Sequence, residues 1–178
     1  CVCYMAVWRN SRNTILSIKG TSTNNMGDLA NDLSMVLGGA TSSAIVQGTL
    51  KRARELIVKY GVNMITGHSL GGYMAEIVAT NGGLPGIAFC APGTNGPKVK
   101  LGGSVVRGFH NVNFEHDPAG NVMCGVYQHV QWSIYVECGS PTHSITYMVN
   151  YFSSRKGITN VDIESRCKSY PTGYYYPN

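Results

Sequence analysis

The sequence predicts an α/β fold, and two features of its 178 residues indicate it. First, strand-forming and helix-forming segments alternate through the middle of the chain, which is typical of a mostly parallel sheet covered by helices on both faces. Second, an apolar run over 62–66 leads into Gly-x-Ser-x-Gly and then into a helix-forming segment. The length suits a single domain over 1–178, with a Tyr-rich, loop-like tail at 169–178.

The elements follow from local pattern. Residues rich in strand formers and bounded by turn residues predict strands over 4–9, 14–19, 62–66, 86–90, 105–114 and 126–137. Apolar residues at helical spacing predict helices over 26–37, 42–60, 70–78 and 143–152. The polar turn at 10–13 makes the first two strands an antiparallel N-terminal hairpin, and Gly61 stands where the second helix should stop.

Composition and charge exclude some classes of protein. Charged residues make up 13% of the chain, against ~25% in an average soluble protein. The net charge is +5, but Lys51, Arg52 and Arg54 lie on one side of an amphipathic helix, which favours a solvated helix face over a nucleic-acid site. No apolar run approaches the ~20 residues of a membrane-spanning helix.

The cysteines lack the paired close spacing of a zinc site, so we expect no metal. They are Cys1, Cys3, Cys90, Cys124, Cys138 and Cys167. An even number in a small domain permits disulfides and favours secretion, whereas buried free thiols in a cytosolic enzyme would give the same pattern. Without an initiator methionine or a basic-then-apolar leader, the chain is expected to be a mature or trimmed product.

The Gly-x-Ser-x-Gly motif runs from Gly67 to Gly71 with Ser69 at its centre. In a nucleophile elbow, glycines two positions before and after the serine let the chain turn sharply from strand to helix without side-chain clashes. The turn lifts the hydroxyl above the edge of the sheet. We therefore predict that Ser69 is a nucleophile; the alternative is a Gly-rich turn with a capping serine.

A serine hydroxyl becomes a nucleophile when a histidine takes its proton and an acid orients that histidine. In α/β-hydrolases the acid and then the histidine follow the serine in sequence. Asp117 is the one aspartate in that order, just past a predicted strand, with Glu115 and Glu137 as weaker alternatives. His143 is the favoured base because it follows a turn and begins a helix, and His116 is its main rival.

The negative charge that develops on the substrate oxygen requires backbone donors. The N–H group of Leu70, directly after the nucleophile, is one by the geometry of the elbow. Thr21 ends an early strand at the same edge of the sheet, so its N–H group, with its hydroxyl, is the predicted second donor. The alternative is that residues 20–23 form only a loop and a helix cap.

Taken together, these motifs resemble the class 3 lipase family, the group of fungal triacylglycerol lipases and feruloyl esterases. The resemblance covers most of the chain and is carried by residues 18–21, 65–72, 89–93, 113–118, 127–130 and His143 with Tyr147. In order, these are similar to the family's oxyanion segment, serine motif, strand ending in Gly-x-Pro, Asn-x-x-Asp-Pro acid loop, following strand and closing His-x-x-x-Tyr.

The resemblance implies an α/β-hydrolase fold in which Ser69, Asp117 and His143 form the triad. It also implies that Thr21 and Leu70 form the oxyanion hole, that no cofactor is needed, and that the substrate is an acyl ester or a lipid. Peripheral contact with a lipid surface is expected from the same likeness.

Two departures from the family pattern stand out. Lys19 replaces the usual arginine, and an ammonium cannot hold a carboxylate with two parallel hydrogen bonds as a guanidinium can. Only residues 38–43 separate the first two predicted helices, where many relatives carry a longer apolar lid, so we expect a minimal lid. The expected function is a serine ester hydrolase. A thioesterase or peptidase can use the same triad, and a lipase-like binding or signalling module without turnover is the alternative.

Overall fold

The computed structural model of the protein describes residues 3–20, 40–94, 106–114, 116–122, 129, 131–136 and 143–154. The predicted helix over 26–37, the candidate donor Thr21 and the tail at 169–178 lie outside the described residues.

Within these residues, six strands form one sheet in which the strands are adjacent in chain order. They are β1 Met5–Arg9, β2 Thr14–Ile18, β3 Met64–His68, β4 Gly86–Phe89, β5 Phe109–Phe114 and β6 Trp132–Val136. β1 runs antiparallel to β2, and each later neighbouring pair is parallel. The α/β class, the mostly parallel sheet and the N-terminal hairpin predicted from the sequence are confirmed.

Among the described residues, three helices accompany the sheet: α1 Ala40–Tyr60, α2 Leu70–Gly82 and α3 Ile145–Ser153. Gly61 directly follows α1 and Gly83 directly follows α2, and their φ angles of 64° and 67° are accessible to glycine without strain. α3 begins two residues later than the sequence predicts. Ser144 is its N-cap, and the Ser144 hydroxyl accepts a hydrogen bond from the Tyr147 N–H group at 3.3 Å.

Helices cover both faces of the sheet, as predicted. Successive strand residues point to opposite faces, so each face is identified by alternate positions. On one face, α1 and α2 bury a cluster that includes Leu16, Ile18, Ile65, Ala88 and Phe109. On the other face, α3 contributes Met148 to a second cluster with Val112, Phe114 and Val136.

The strand predicted over 105–114 is shorter in the structure and begins at Phe109. Gly108 has a φ angle of 84°, which places a turn where the prediction has extended chain. Before that turn, the Val106 N–H group donates to the Gln131 side-chain oxygen at 2.6 Å instead of to a neighbouring strand. A hydrogen bond to a side chain distant in sequence, together with the turn at Gly108, therefore sets the start of β5.

The strand predicted over 126–137 also begins late, at Trp132. His129 was predicted to lie within this strand, but it precedes β6 and its ring binds Glu76. The Gln131 N–H group donates to a Glu76 carboxylate oxygen at 2.9 Å. A buried carboxylate thus takes the place of a strand neighbour in this segment.

Candidate active site

The turn between β3 and α2 holds Ser69 in an uncommon backbone conformation, with φ 58° and ψ −130°. A positive φ is rare for residues other than glycine and costs about 1–3 kcal/mol. Two backbone hydrogen bonds hold this conformation: the Ser69 N–H group donates to the Phe89 carbonyl at 2.9 Å, and the Ser69 carbonyl accepts from Tyr73 at 3.0 Å. The turn therefore has the sharp strand-to-helix geometry that the motif predicts.

Backbone segments approach so closely around this turn that side chains are excluded. A Cβ atom at Gly67 would overlap the Gly71 carbonyl, and one at Gly71 would overlap the carbonyl of Ile18 at the end of β2. A Cβ atom at Gly20 would overlap the His68 carbonyl and lie 3.2 Å from the Ser69 Cβ atom. The chain that leads to Thr21 therefore passes directly beside Ser69.

Leu70 is the first residue of α2 and is buried. The N–H groups of the first turn of a helix have no acceptor within the helix, so the Leu70 N–H group can serve an external oxygen. The second predicted donor, Thr21, falls outside the part of the chain that the structure describes.

Asp117 and His143 form a buried pair. The His143 Nδ1 atom lies 2.8 Å from the Asp117 Oδ2 atom, and Asp117 is fully buried. The other carboxylate oxygen, Oδ1, accepts a hydrogen bond at 2.6 Å from the N–H group of Gly120, in the π-helical turn Pro118–Val122. With both of its oxygens engaged, the carboxylate is fixed in orientation and can hold the Nδ1–H tautomer of His143.

The other reactive atoms of the site are buried and unpaired. The Ser69 Oγ and His143 Nε2 atoms have no hydrogen-bond partner among the described residues, so the hydrogen bond between them is not made in this structure. In the neutral ring, donation from Nδ1 to Asp117 leaves a lone pair on Nε2, which is then the acceptor needed for a serine proton. Catalytic hydrogen bonds are often long without substrate and tighten when it binds.

His68 is adjacent to both Ser69 and His143. It directly precedes Ser69 in the chain, and its ring centroid lies 4.7 Å from that of His143. Burial lowers the pKa of His68 from 6.5 to about 4. The charge of His143 also lowers this pKa, while Asp117 and a hydrogen bond to the His143 backbone partly oppose the shift. His68 is therefore neutral near pH 7.

Topology explains why these residues meet. Ser69 follows β3, Asp117 follows β5 and His143 follows β6, and the carboxyl ends of parallel strands lie at one edge of a sheet. The rival base His116 is exposed, and the alternative acids Glu115 and Glu137 are outside the described residues. The structure thus brings Asp117 and His143 into contact and places both beside the turn that carries Ser69.

A second buried pair of a histidine and a carboxylate lies on the α2 face of the sheet, and the sequence did not predict it. The Glu76 Oε2 atom lies 2.7 Å from His129 Nδ1, and the His129 Nε2 atom lies 3.3 Å from the Asn113 amide nitrogen. The Asn113 side-chain oxygen accepts from the Ala91 N–H group at 3.1 Å. We call Glu76, His129, Asn113 and Gln131 the buried polar cluster. A lone acidic residue in the otherwise apolar stretch 73–79 was the signal that could have revealed it.

Neither a model of a known protein family nor a curated protein matches this chain. In the described segments, no helix combines the length and the apolar character needed to cross a membrane. The His, Cys, Asp and Glu side chains of those segments form no group of three or more that could hold a metal ion. The geometry defines an α/β protein with a buried serine at a strained turn beside a histidine–aspartate pair.

Proposed function

We propose that the protein is a serine ester hydrolase with an α/β-hydrolase fold, resembling the class 3 lipases, that cleaves carboxylic esters of lipids or smaller acyl esters. The observation that carries this proposal is the 2.8 Å contact between His143 and the buried Asp117 next to the strained turn at Ser69. A fixed acid, a histidine with a buried unpaired Nε2 atom and a serine hydroxyl are the parts that acyl transfer requires.

In the proposed mechanism, the Ser69 oxygen attacks the ester carbonyl carbon while His143 Nε2 accepts the hydroxyl proton. Asp117 stabilises the imidazolium that forms. The oxyanion of the tetrahedral intermediate accepts hydrogen bonds from the N–H groups of Leu70 and Thr21. The imidazolium then protonates the departing alkoxide as the ester C–O bond breaks, leaving an acyl group on Ser69.

The second half of the reaction reverses these roles. A water molecule attacks the acyl carbon, and His143 takes its proton as the new C–O bond forms. The imidazolium returns the proton to the Ser69 oxygen, which releases the carboxylic acid and regenerates the enzyme. No step requires a cofactor. Burial of Asp117 supports this scheme because charge stabilisation is stronger where water is excluded.

Lipid or small acyl esters are the proposed substrates, and peripheral contact with a lipid surface is part of the proposal. Its support is the exposure of three apolar or aromatic side chains on α3, the helix that begins two residues after His143: Ile145, Tyr147 and Val149. We also propose that the protein is secreted, on the basis of its cysteine number. A thioesterase or a peptidase would use the same acyl-transfer residues.

A lipase-like binding module without turnover is the second candidate function. The observation that favours it is the absence of a hydrogen bond between the Ser69 Oγ and His143 Nε2 atoms, since neither has a partner among the described residues. In such a module the serine would lack activation by the histidine, and it would react slowly with electrophiles. The two candidates therefore differ in the reactivity of one hydroxyl.

Labelling with a fluorophosphonate probe tests this difference directly. We expect covalent modification of Ser69, located by peptide mass spectrometry, and hydrolysis within a p-nitrophenyl ester series from acetate to palmitate. Ser69→Ala should remove labelling and lower turnover by about 10⁴- to 10⁶-fold. Ser11→Ala, in the exposed hairpin turn, is the matched control and should react like the parent protein. Folded protein whose Ser69 does not react would favour the binding module.

A further inference from the structure

We infer that His68 is a positioning residue that holds His143 in the orientation needed to take the proton of Ser69. The inference rests on the proposed function, because it assigns His143 the role of base. It goes further by giving a role to the second histidine of the site, which the mechanism above does not use.

Strand register places His68 on the face of the sheet that α3 covers, next to His143. His68 pairs with Phe89 in the β3–β4 ladder, so their side chains share a face. The Phe89 ring lies 6.2 Å from that of Phe152 in α3, which shows that this is the face covered by α3. His143 stands just before α3, and its ring centroid is 4.7 Å from that of His68, with the ring planes inclined at 37°.

The proposed role of His68 includes a hydrogen bond to the His143 backbone. An interaction with that backbone raises the pKa of His68, so in the proposal a ring nitrogen of His68 donates and the His143 carbonyl oxygen accepts. The Nε2 atom of His68 is buried without a partner, which leaves Nδ1 as the donating nitrogen. In this proposal the contact with Asp117 and the packing against the His68 ring hold the ring of His143, and the His68 donor holds its main chain.

The charge state of His68 suits this role. When His143 becomes an imidazolium during the reaction, a second positive charge 4.7 Å away would oppose its formation. Burial keeps His68 neutral near pH 7, and Asp117 is the negative group that acts on both rings. The neutral His68 ring thus supports His143 without forming a competing ion pair with Asp117.

Three substitutions separate positioning from simple space filling. The asparagine side chain is polar and short, so His68→Asn places an amide nitrogen near the Nδ1 position and keeps the donor. His68→Gln places the amide nitrogen near the Nε2 position and removes the donor to His143, and His68→Leu removes both polar atoms. We expect His68→Leu and His68→Gln to lower kcat by about 10- to 100-fold with KM changed less than about twofold. His68→Asn should recover most of the rate.

Proton NMR of His143 provides a readout that does not depend on turnover. The Nδ1 proton shared with Asp117 should give a downfield resonance in the wild-type protein and in His68→Asn. We expect it to broaden or disappear in His68→Leu and His68→Gln, because the ring is then held at one point. The dispersion of the amide spectrum establishes that each variant is folded, and His68→Gln replaces His68→Leu if the latter does not fold.

The outcomes distinguish the two proposals. Unchanged kcat and an unchanged His143 resonance in folded His68→Leu or His68→Gln would overturn the positioning role while leaving the hydrolase intact. A rate in His68→Asn as low as in His68→Leu would overturn the assignment of the hydrogen bond. If the wild-type protein neither labels nor hydrolyses esters, the proposed function fails, and the NMR comparison alone then decides whether His68 holds His143.

Discussion

Removing the carboxylate of Glu76 should be the most destabilising single change in the buried polar cluster. Glu76 is fully buried in α2, and its two oxygens accept from His129 Nδ1 at 2.7 Å and from the Gln131 N–H group at 2.9 Å. Glu76→Ala leaves both donors buried without this acceptor, at about 1–3 kcal/mol each. Together with the space left behind, we expect the free energy of unfolding to fall by about 3–5 kcal/mol.

The expected loss in the free energy of unfolding of Glu76→Ala is large for a domain of this size. A typical free energy of unfolding is about 5–15 kcal/mol, so the variant would lose a substantial part of it. Urea unfolding followed by circular dichroism measures the loss from the shift in midpoint at constant slope. In thermal unfolding, a loss of this size corresponds to a Tm lowered by roughly 6–20 °C.

Glu55→Ala is the matched control, because Glu55 is also a helical glutamate with a partner but is half exposed. Its ion pair with Arg52 at 2.9 Å is at the surface, where such pairs contribute about 0–1 kcal/mol. Glu76→Gln tests the hydrogen-bond pattern, since an amide offers one acceptor to two donors and should cost about 1–3 kcal/mol. If Glu76→Ala cost no more than Glu55→Ala, the account of the cluster as a stabilising contact would be wrong.

Three further predictions concern the site and its support. Asp117→Asn should fold normally but lose about 10⁴-fold in kcat, because the amide favours the wrong histidine tautomer. Steady-state kinetics with a p-nitrophenyl ester would measure this loss, and activity within tenfold of wild type would contradict the triad. Gly71→Ala should lower the free energy of unfolding measured in urea, because the added methyl group overlaps the Ile18 carbonyl. Gly82→Ala is the control and should raise the free energy of unfolding by about 0.5–1 kcal/mol, because its Cβ atom would meet nothing closer than 3.9 Å. Equal effects of the two substitutions would argue against the close backbone contact at Gly71. Burial lowers the pKa of His68 to about 4, so the unfolded chain binds a proton near pH 6.5 that the folded chain does not accept until about pH 4, and stability should decrease as the pH falls through this window. Urea unfolding at several pH values should show a smaller decrease in His68→Asn, by up to about 3 kcal/mol, and identical pH dependence would refute the assignment.

The local sequence pattern was sufficient to predict the elements whose structure is determined by neighbouring residues. Alternating residues and a polar turn predicted the hairpin of β1 and β2, and the spacing of two glycines predicted the turn at Ser69. The order of residues along the chain then selected Asp117 and His143, which the structure brings to 2.8 Å. These predictions depend on short-range sterics and on the common edge of parallel strands.

Long-range side-chain contacts were beyond the reach of the same reasoning. The start of β5 depends on a hydrogen bond that the Val106 N–H group donates to the Gln131 side-chain oxygen. The start of β6 depends on one that the Gln131 N–H group donates to Glu76, which is distant in sequence. His68 flanks the nucleophile in the sequence, and nothing in its local pattern indicates that its ring meets His143. Such contacts are decided by the packing of elements and not by the residues that form each one.

The close backbone approaches at Gly20, beside the His68 carbonyl, and at Gly71, beside the Ile18 carbonyl, have an evolutionary consequence. Because main-chain atoms touch there, the position of the serine turn relative to the end of β2 does not depend on any side chain that mutation could exchange. The surrounding loops can therefore change in length and sequence during evolution, and the substrate specificity can change with them. The placement of the serine turn against β2 would persist as long as those two glycines do.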